Sequence, residues 1–170
     1  MRKISFKSST RKDGPGNRIA IPPFSGSGDP TIVGATLVVY DSGGLTTDTV
    51  TVSLPPTSPD GSAWTRLGPP TSPQGYRYKG KNPNGPVARV TVRADSISIR
   101  GGKASWSYTL NEAAQGRVAV RLLLGSGAGW CADAPAKTSG NPPSTANNDK
   151  VDRFVGQPKT PAPGVCPSLP

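Results

Sequence analysis

The sequence predicts an all-β fold, an antiparallel β-sandwich of Ig-like or jelly-roll type, on three observations. The chain carries about nine short runs rich in β-branched and aromatic residues. Several of them alternate strictly between apolar and polar residues. Gly, Pro, Asn or Asp bounds nearly every one.

In chain order the strand segments are KISFKS (3–8), NRIAIP (17–22), ATLVVYD (35–41), DTVTVSLP (48–55), YRYKG (76–80), VARVTVRA (87–94), SISIRGG (96–102), ASWSYTL (104–110) and GRVAVRLLLG (116–125). In the fourth, Val50, Val52 and Leu54 share one face, and Thr49, Thr51 and Ser53 the other. Val90, Val92 and Ala94 repeat the pattern against Arg89, Thr91 and Arg93. Such strands lay one face on a core and the other in water. YDSGGLTTDTV reads as a hairpin, and its Asp41 and Asp48 as turn residues rather than as a calcium loop. The Pro- and Gly-rich stretch from Leu54 to Lys79 reads as a crossover anchored by Trp64 and Tyr76. Only NEAAQG (111–116) hints at helix, and it is too short to be more than a turn. Residues 1–130 are thus expected to form the sandwich, and 131–170 an irregular Pro/Ser/Thr-rich strap with no strand longer than VDRFV (151–155).

Composition narrows the chemistry. A 33% hydrophobic content implies a thin core, and Gly 21 with Pro 20 implies long loops. The chain has no histidine, hence neither the usual proton-transfer residue near neutral pH nor the commonest transition-metal ligand. With only ten acids, of which Asp95, Glu112 and Asp133 stand near strand ends, a paired-carboxylate enzyme is not expected. No catalytic residue, cofactor or metal is expected. The net charge of +10 is spread over strand positions such as Arg89, Arg93, Arg100, Arg117 and Arg121, and over the N-terminal MRKISFKSSTRK. No RGG tract, RNP motif or basic helix accompanies it, so solvated strand faces and adhesion to anionic surfaces explain it at least as well as specific nucleic-acid binding, which is not expected. The partners expected are a second copy of the chain, a polysaccharide or an anionic surface. No apolar run approaches the roughly 20 residues a membrane span needs.

Two cysteines remain. A nucleophilic cysteine needs a base and a zinc site needs four ligands, and this chain offers neither. The reading left is a Cys131–Cys166 disulfide that ties the strap back and implies an oxidising, extracellular compartment. Among the aromatics, Tyr76 and Tyr78 share a strand face, as do Trp106 and Tyr108. With Trp64 they are candidates for stacking on sugar rings, the competing reading being that they fill the core. Ile4, Phe6, Ile19 and Ile21 lie on N-terminal strands that pair with another strand of the same chain or with a neighbouring subunit in a filament.

The string GYRYKGKNPNGPVARVTVRADSISI, continuing through GGKASWSYTLNEAAQGRVAVRLLLGSGAGWCADAPAK, resembles a β-rich module that recurs in predicted secreted bacterial proteins. The resemblance covers about the second half of the chain: a Tyr-Lys strand, a Val-x-Val strand, a Gly-Gly hairpin and a strand leading to a Trp-Cys pair. It implies an extracellular β-sandwich and carries no known activity. Met1 opens onto a basic strand-like segment instead of a signal-peptide h-region, a departure from that pattern. The expected function is a non-enzymatic extracellular or cell-surface structural or adhesive module that self-associates, with a carbohydrate-binding module using exposed Trp and Tyr as the alternative.

Overall fold

A computed structural model of the chain describes residues 3–9, 11–12, 19–101, 110–111, 113–125 and 129–170. It is an all-β sandwich of two sheets. The seven-stranded sheet contains β1 (Lys3–Ser9), β5 (Ala63–Leu67), β6 (Gly75–Lys79), β7 (Val87–Val92), β8 (Ser96–Gly101), β11 (Asp149–Lys150) and β12 (Arg153–Val155), in the order β11-β12-β1-β8-β7-β6-β5. The five-stranded sheet contains β2 (Arg11–Lys12), β3 (Ala35–Asp41), β4 (Thr49–Leu54), β9 (Arg117–Leu124) and β10 (Gly129–Pro135), in the order β2-β10-β9-β3-β4. All neighbours are antiparallel except β1 and β12. The chain passes from one sheet to the other between Ser9 and Arg11.

Alternation builds the core as the sequence predicts. In the seven-stranded sheet, one inward row across the strands is Phe6, Ile99, Val90, Tyr78 and Trp64. In the five-stranded sheet, a facing row is Trp130, Leu122, Leu37 and Val52. All nine are buried members of one core cluster. The Trp64 ring nitrogen donates to the Leu54 carbonyl at 3.0 Å, bridging from β5 to the end of β4. Gly75, at φ 140, opens β6 close against β7: a Cβ there would run into the Val92 carbonyl oxygen.

Several segments differ from the sequence expectation. Ala63–Leu67, inside the presumed crossover, is strand β5. Gly129–Pro135, where the strap was expected to begin, is the well-paired strand β10. Its inward side chains, Trp130, Ala132 and Ala134, are mostly small, so the apolar signal is faint. The segment 17–22 forms no strand over its described part, where Ile19 N–H makes one bond to the Ala94 carbonyl. The expected strand at 104–110 and the Gly-Gly hairpin before it lie almost wholly outside the described residues. The DSGG hairpin forms as expected: both carboxylate oxygens of Asp41 accept backbone N–H groups, from Gly43 at 2.9 Å and Thr46 at 2.8 Å.

The loop 19–33 closes one end of the sandwich. Asp29 caps the single-turn helix α1 (Pro30–Val33), accepting from the Thr31 N–H at 2.9 Å and its hydroxyl at 2.7 Å. Asp29 is fully buried, and Arg66 of β5 answers its charge with two donors at 3.0 and 2.7 Å. The Tyr76 hydroxyl donates to the carbonyls of Pro22 and Pro23. Burial, and after it the Asp29 charge, pushes Tyr76 up to about 12, against the opposing pull of Arg66. The folded state thus holds this proton more tightly than the unfolded one, so its stabilising share is present below pH ~10 and is lost as pH rises toward about 12. In a phenolate absorbance titration, one tyrosine should ionise only together with alkaline unfolding, and Tyr76→Phe should remove that late step.

Candidate functional site

The two outer faces of the sandwich differ, and the difference singles out one of them. On the five-stranded sheet, register aligns Cys131 with Arg121, Val38 and Thr51, and Asp133 with Ala119, Tyr40 and Thr49. Cys131, Tyr40 and Ala119 are 0% exposed although they point away from the core. The C-terminal segment covers them. Cys166 forms the disulfide with Cys131, the Cα atoms 5.8 Å apart, and the Tyr40 hydroxyl donates to the Pro167 carbonyl at 2.8 Å. Beside the strap, Arg117 grips Asp133 with two donors at 3.2 and 2.7 Å, and the Ser42 hydroxyl donates to the same carboxylate at 2.6 Å. The chain's own tail thus covers the middle of this face, while Thr49, Thr51 and Leu123 toward its margins stay exposed.

The outer face of the seven-stranded sheet carries charge. Tyr76, Tyr78, Val90, Val92, Ile97 and Ile99 turn inward, so the period of two turns Arg77, Lys79, Arg89 and Arg100 outward, and all four are exposed. Register then makes neighbours of residues far apart in sequence. Lys79 stands opposite Arg89, and Arg89 opposite Arg100, whose other neighbour is Ser5. The adjacent row reads Thr65, Arg77, Thr91, Ser98 and the backbone position of Lys7. The backbone position of Lys3 pairs with that of Arg153 at the β1–β12 end. None of β1, β5, β6, β7, β8 and β12 contains Asp or Glu. Among the described residues, ion pairs to carboxylates are made by Arg66 and Arg117, not by these four cations. Like charges directly opposed across strands repel, so this face stores a repulsion that an anion would relieve.

The sequence shows Arg and Lys at alternating strand positions but not which of them meet. Part of the charge that looks scattered in the linear chain is gathered by register on β6, β7 and β8, strands that carry no Asp or Glu. Arg117 and Arg121, read with the same set, belong to the opposite, strap-covered sheet.

The proposed ring platform does not form. Trp64, Tyr76 and Tyr78 are 4%, 0% and 6% exposed, packed in the core with Trp64 against Tyr78 at 5.4 Å and Tyr76 against Phe24 at 5.5 Å. Filling a thin core has claimed them, which corrects their assignment as ligand-stacking residues. Trp106 and Tyr108 lie outside the described residues. Of the two pairings expected for the N-terminal strand, the structure shows the one within its own chain, with SISIRG of β8. β1 pairs with β8 and β12 of its own chain; Ile4, Phe6 and Ile19 are buried in its own core, and Ile21 packs against it. These four residues are therefore core residues and not subunit contacts.

An open edge exists elsewhere, at β4. The Asp41 N–H bonds the carbonyl of Asp48 directly opposite, which fixes the alternation along the β3–β4 ladder. Thr49, Thr51 and Ser53 therefore turn their backbone groups outward, and no described residue pairs with them. Beside this edge lies a cleft of about 190 Å³ lined by Val52, Tyr78, Val87, Asp60 and Ser62, among others. The backbone N–H of Ser62, then its hydroxyl, holds the Asp60 carboxyl below its ordinary range. Among the described residues no group of three or more His, Cys, Asp or Glu side chains could hold a metal. No helix among them is long and apolar enough to cross a membrane. No protein-family model, curated protein or solved structure matches the chain.

Proposed function

We propose that this chain is a non-enzymatic structural or adhesive module of the extracellular space or cell surface, and that it adheres to anionic surfaces through the outer face of the seven-stranded sheet. The observation that carries the reading is the asymmetry of the sandwich. One outer face is covered over its middle by a disulfide-held strap, while the other presents Arg77, Lys79, Arg89 and Arg100 with no carboxylate in β1, β5–β8 or β12. A disulfide fits an oxidising compartment, and a one-sign field on a flat face raises the local concentration of anions. Any self-association falls to the uncharged edge of β4, which can accept a further strand, and not to β1.

The test is retention of the full chain on carboxylated, sulfated and uncharged agarose. Retention on both charged matrices, release near 1 M salt, where the screening length shrinks to about 3 Å, and flow-through on uncharged agarose are expected. Since any protein of charge +10 binds such matrices to some degree, the deciding comparison is between two variants of equal charge. Arg89→Gln/Arg100→Gln should elute at markedly lower salt than Lys137→Gln/Lys159→Gln, whose residues are exposed and outside the face. Equal elution of the two variants would reject the face as the adhesive surface.

A further inference from the structure

We infer that the polymer held by this face is an acidic polysaccharide, its carboxylate or sulfate groups seated on the row Lys79–Arg89–Arg100 and its hydroxyls on the row Thr65, Thr91 and Ser98. The inference rests on the adhesive reading above and adds the chemical class of the ligand. Neighbouring strands lie about 4.8 Å apart, so the three cations form a line of roughly 10 Å running across the strands. The hydroxyl row runs parallel to it two residues along each strand, about 7 Å away. A polymer laid along these rows meets three adjacent cations on one side and, on the other, the hydroxyls of Thr65, Thr91 and Ser98 with Arg77 between the first two. That pairing suits a sugar chain carrying both acidic groups and hydroxyls.

The described part of this face shows none of the groups by which nucleic acids are gripped or read. Single-stranded nucleic acid is gripped by aromatic rings on which bases stack. Here Trp64, Tyr76 and Tyr78, the rings of β5 and β6, all point into the core. Reading a duplex takes a helix or a narrow two-stranded ribbon in the major groove. The described helix α1 has four residues, and the cations sit in the middle of a seven-stranded sheet. Guanidinium and ammonium groups alone would still attract phosphates, so the distinction is one of preference. The hydroxyl row favours the glycan, and no described group on the face favours a base.

The experiment titrates the full, disulfide-intact chain with polygalacturonate, heparin, single-stranded DNA and duplex DNA at equal charge concentration and fixed ionic strength. Polygalacturonate, heparin or both should bind at least tenfold more tightly than either DNA, and the bound glycan should resist DNA as competitor. Carboxylate and sulfate are told apart by which of the two glycans binds more tightly. Thr91→Val/Ser98→Ala, which keeps the charge, should lower glycan affinity severalfold and leave DNA affinity unchanged. DNA binding as tight as glycan binding, or a hydroxyl variant that weakens both alike, would overturn the inference while leaving the adhesive reading intact. Failure of all four polymers to bind at low salt would overturn both.

Discussion

Replacing both Cys131 and Cys166 with serine should destabilise the protein by about 3–4 kcal/mol, the loop-entropy value for a closure spanning 35 residues. Set against a total of roughly 5–15 kcal/mol for an ordinary domain, that is a large fraction. The consequence should also be local. Without the bridge, the strap is still tethered over the five-stranded sheet by the Tyr40–Pro167 hydrogen bond, a contact worth far less than the covalent closure. Its release would bare Val38, Tyr40 and Ala119, which form a small apolar cluster of their own on that outer face. Reductant should therefore lower the denaturation midpoint of the wild-type chain and raise its binding of an apolar dye, and should do neither to the double variant. A reduced chain of unchanged stability would show that the strap holds without its staple.

Phe6→Ala should cost about 3–5 kcal/mol, the usual range for emptying a buried phenylalanine site. Phe6 is 1% exposed and lies opposite Ile99 of β8, inside the core cluster of its own chain. The variant should lose stability at every protein concentration, because the contact it breaks is internal. A strand that completed a neighbouring subunit would behave differently: its loss would shift assembly and leave the monomer's melting temperature unchanged. Chemical denaturation at several protein concentrations separates the two.

What the sequence made legible follows from how locally each feature is encoded. The alternation of β4, and that of Val90 and Val92 in β7, needs only the period of two, and both strands formed where expected. The Cys131–Cys166 bridge followed from elimination, since two cysteines in a chain without histidine have few other uses. β5 and β10 were not legible. β5 hides in a Pro- and Gly-rich stretch with Trp64 as its one large inward apolar side chain, and the outward Cys131 of β10 is buried by the strap, so that strand lacks a polar residue where alternation would put one. The cationic face was not legible for a different reason. Lys79, Arg89 and Arg100 are ten and eleven residues apart, and only the pairing registers of β6, β7 and β8 bring them side by side. The aromatic pair Tyr76 and Tyr78 showed the limit of alternation: it placed them on one face without saying which face was wet.

The central claim is that the working surface is the outer face of the seven-stranded sheet. Backbone amide shifts of the isotope-labelled chain, followed during titration with polygalacturonate, test it most directly. The account expects the perturbed amides to map to Arg77, Lys79, Arg89, Thr91, Ser98 and Arg100, with β3, β9 and the strap unmoved. Perturbations centred on the strap, on the edge of β4 or on the hairpin 42–48, with β6–β8 unmoved, would contradict it.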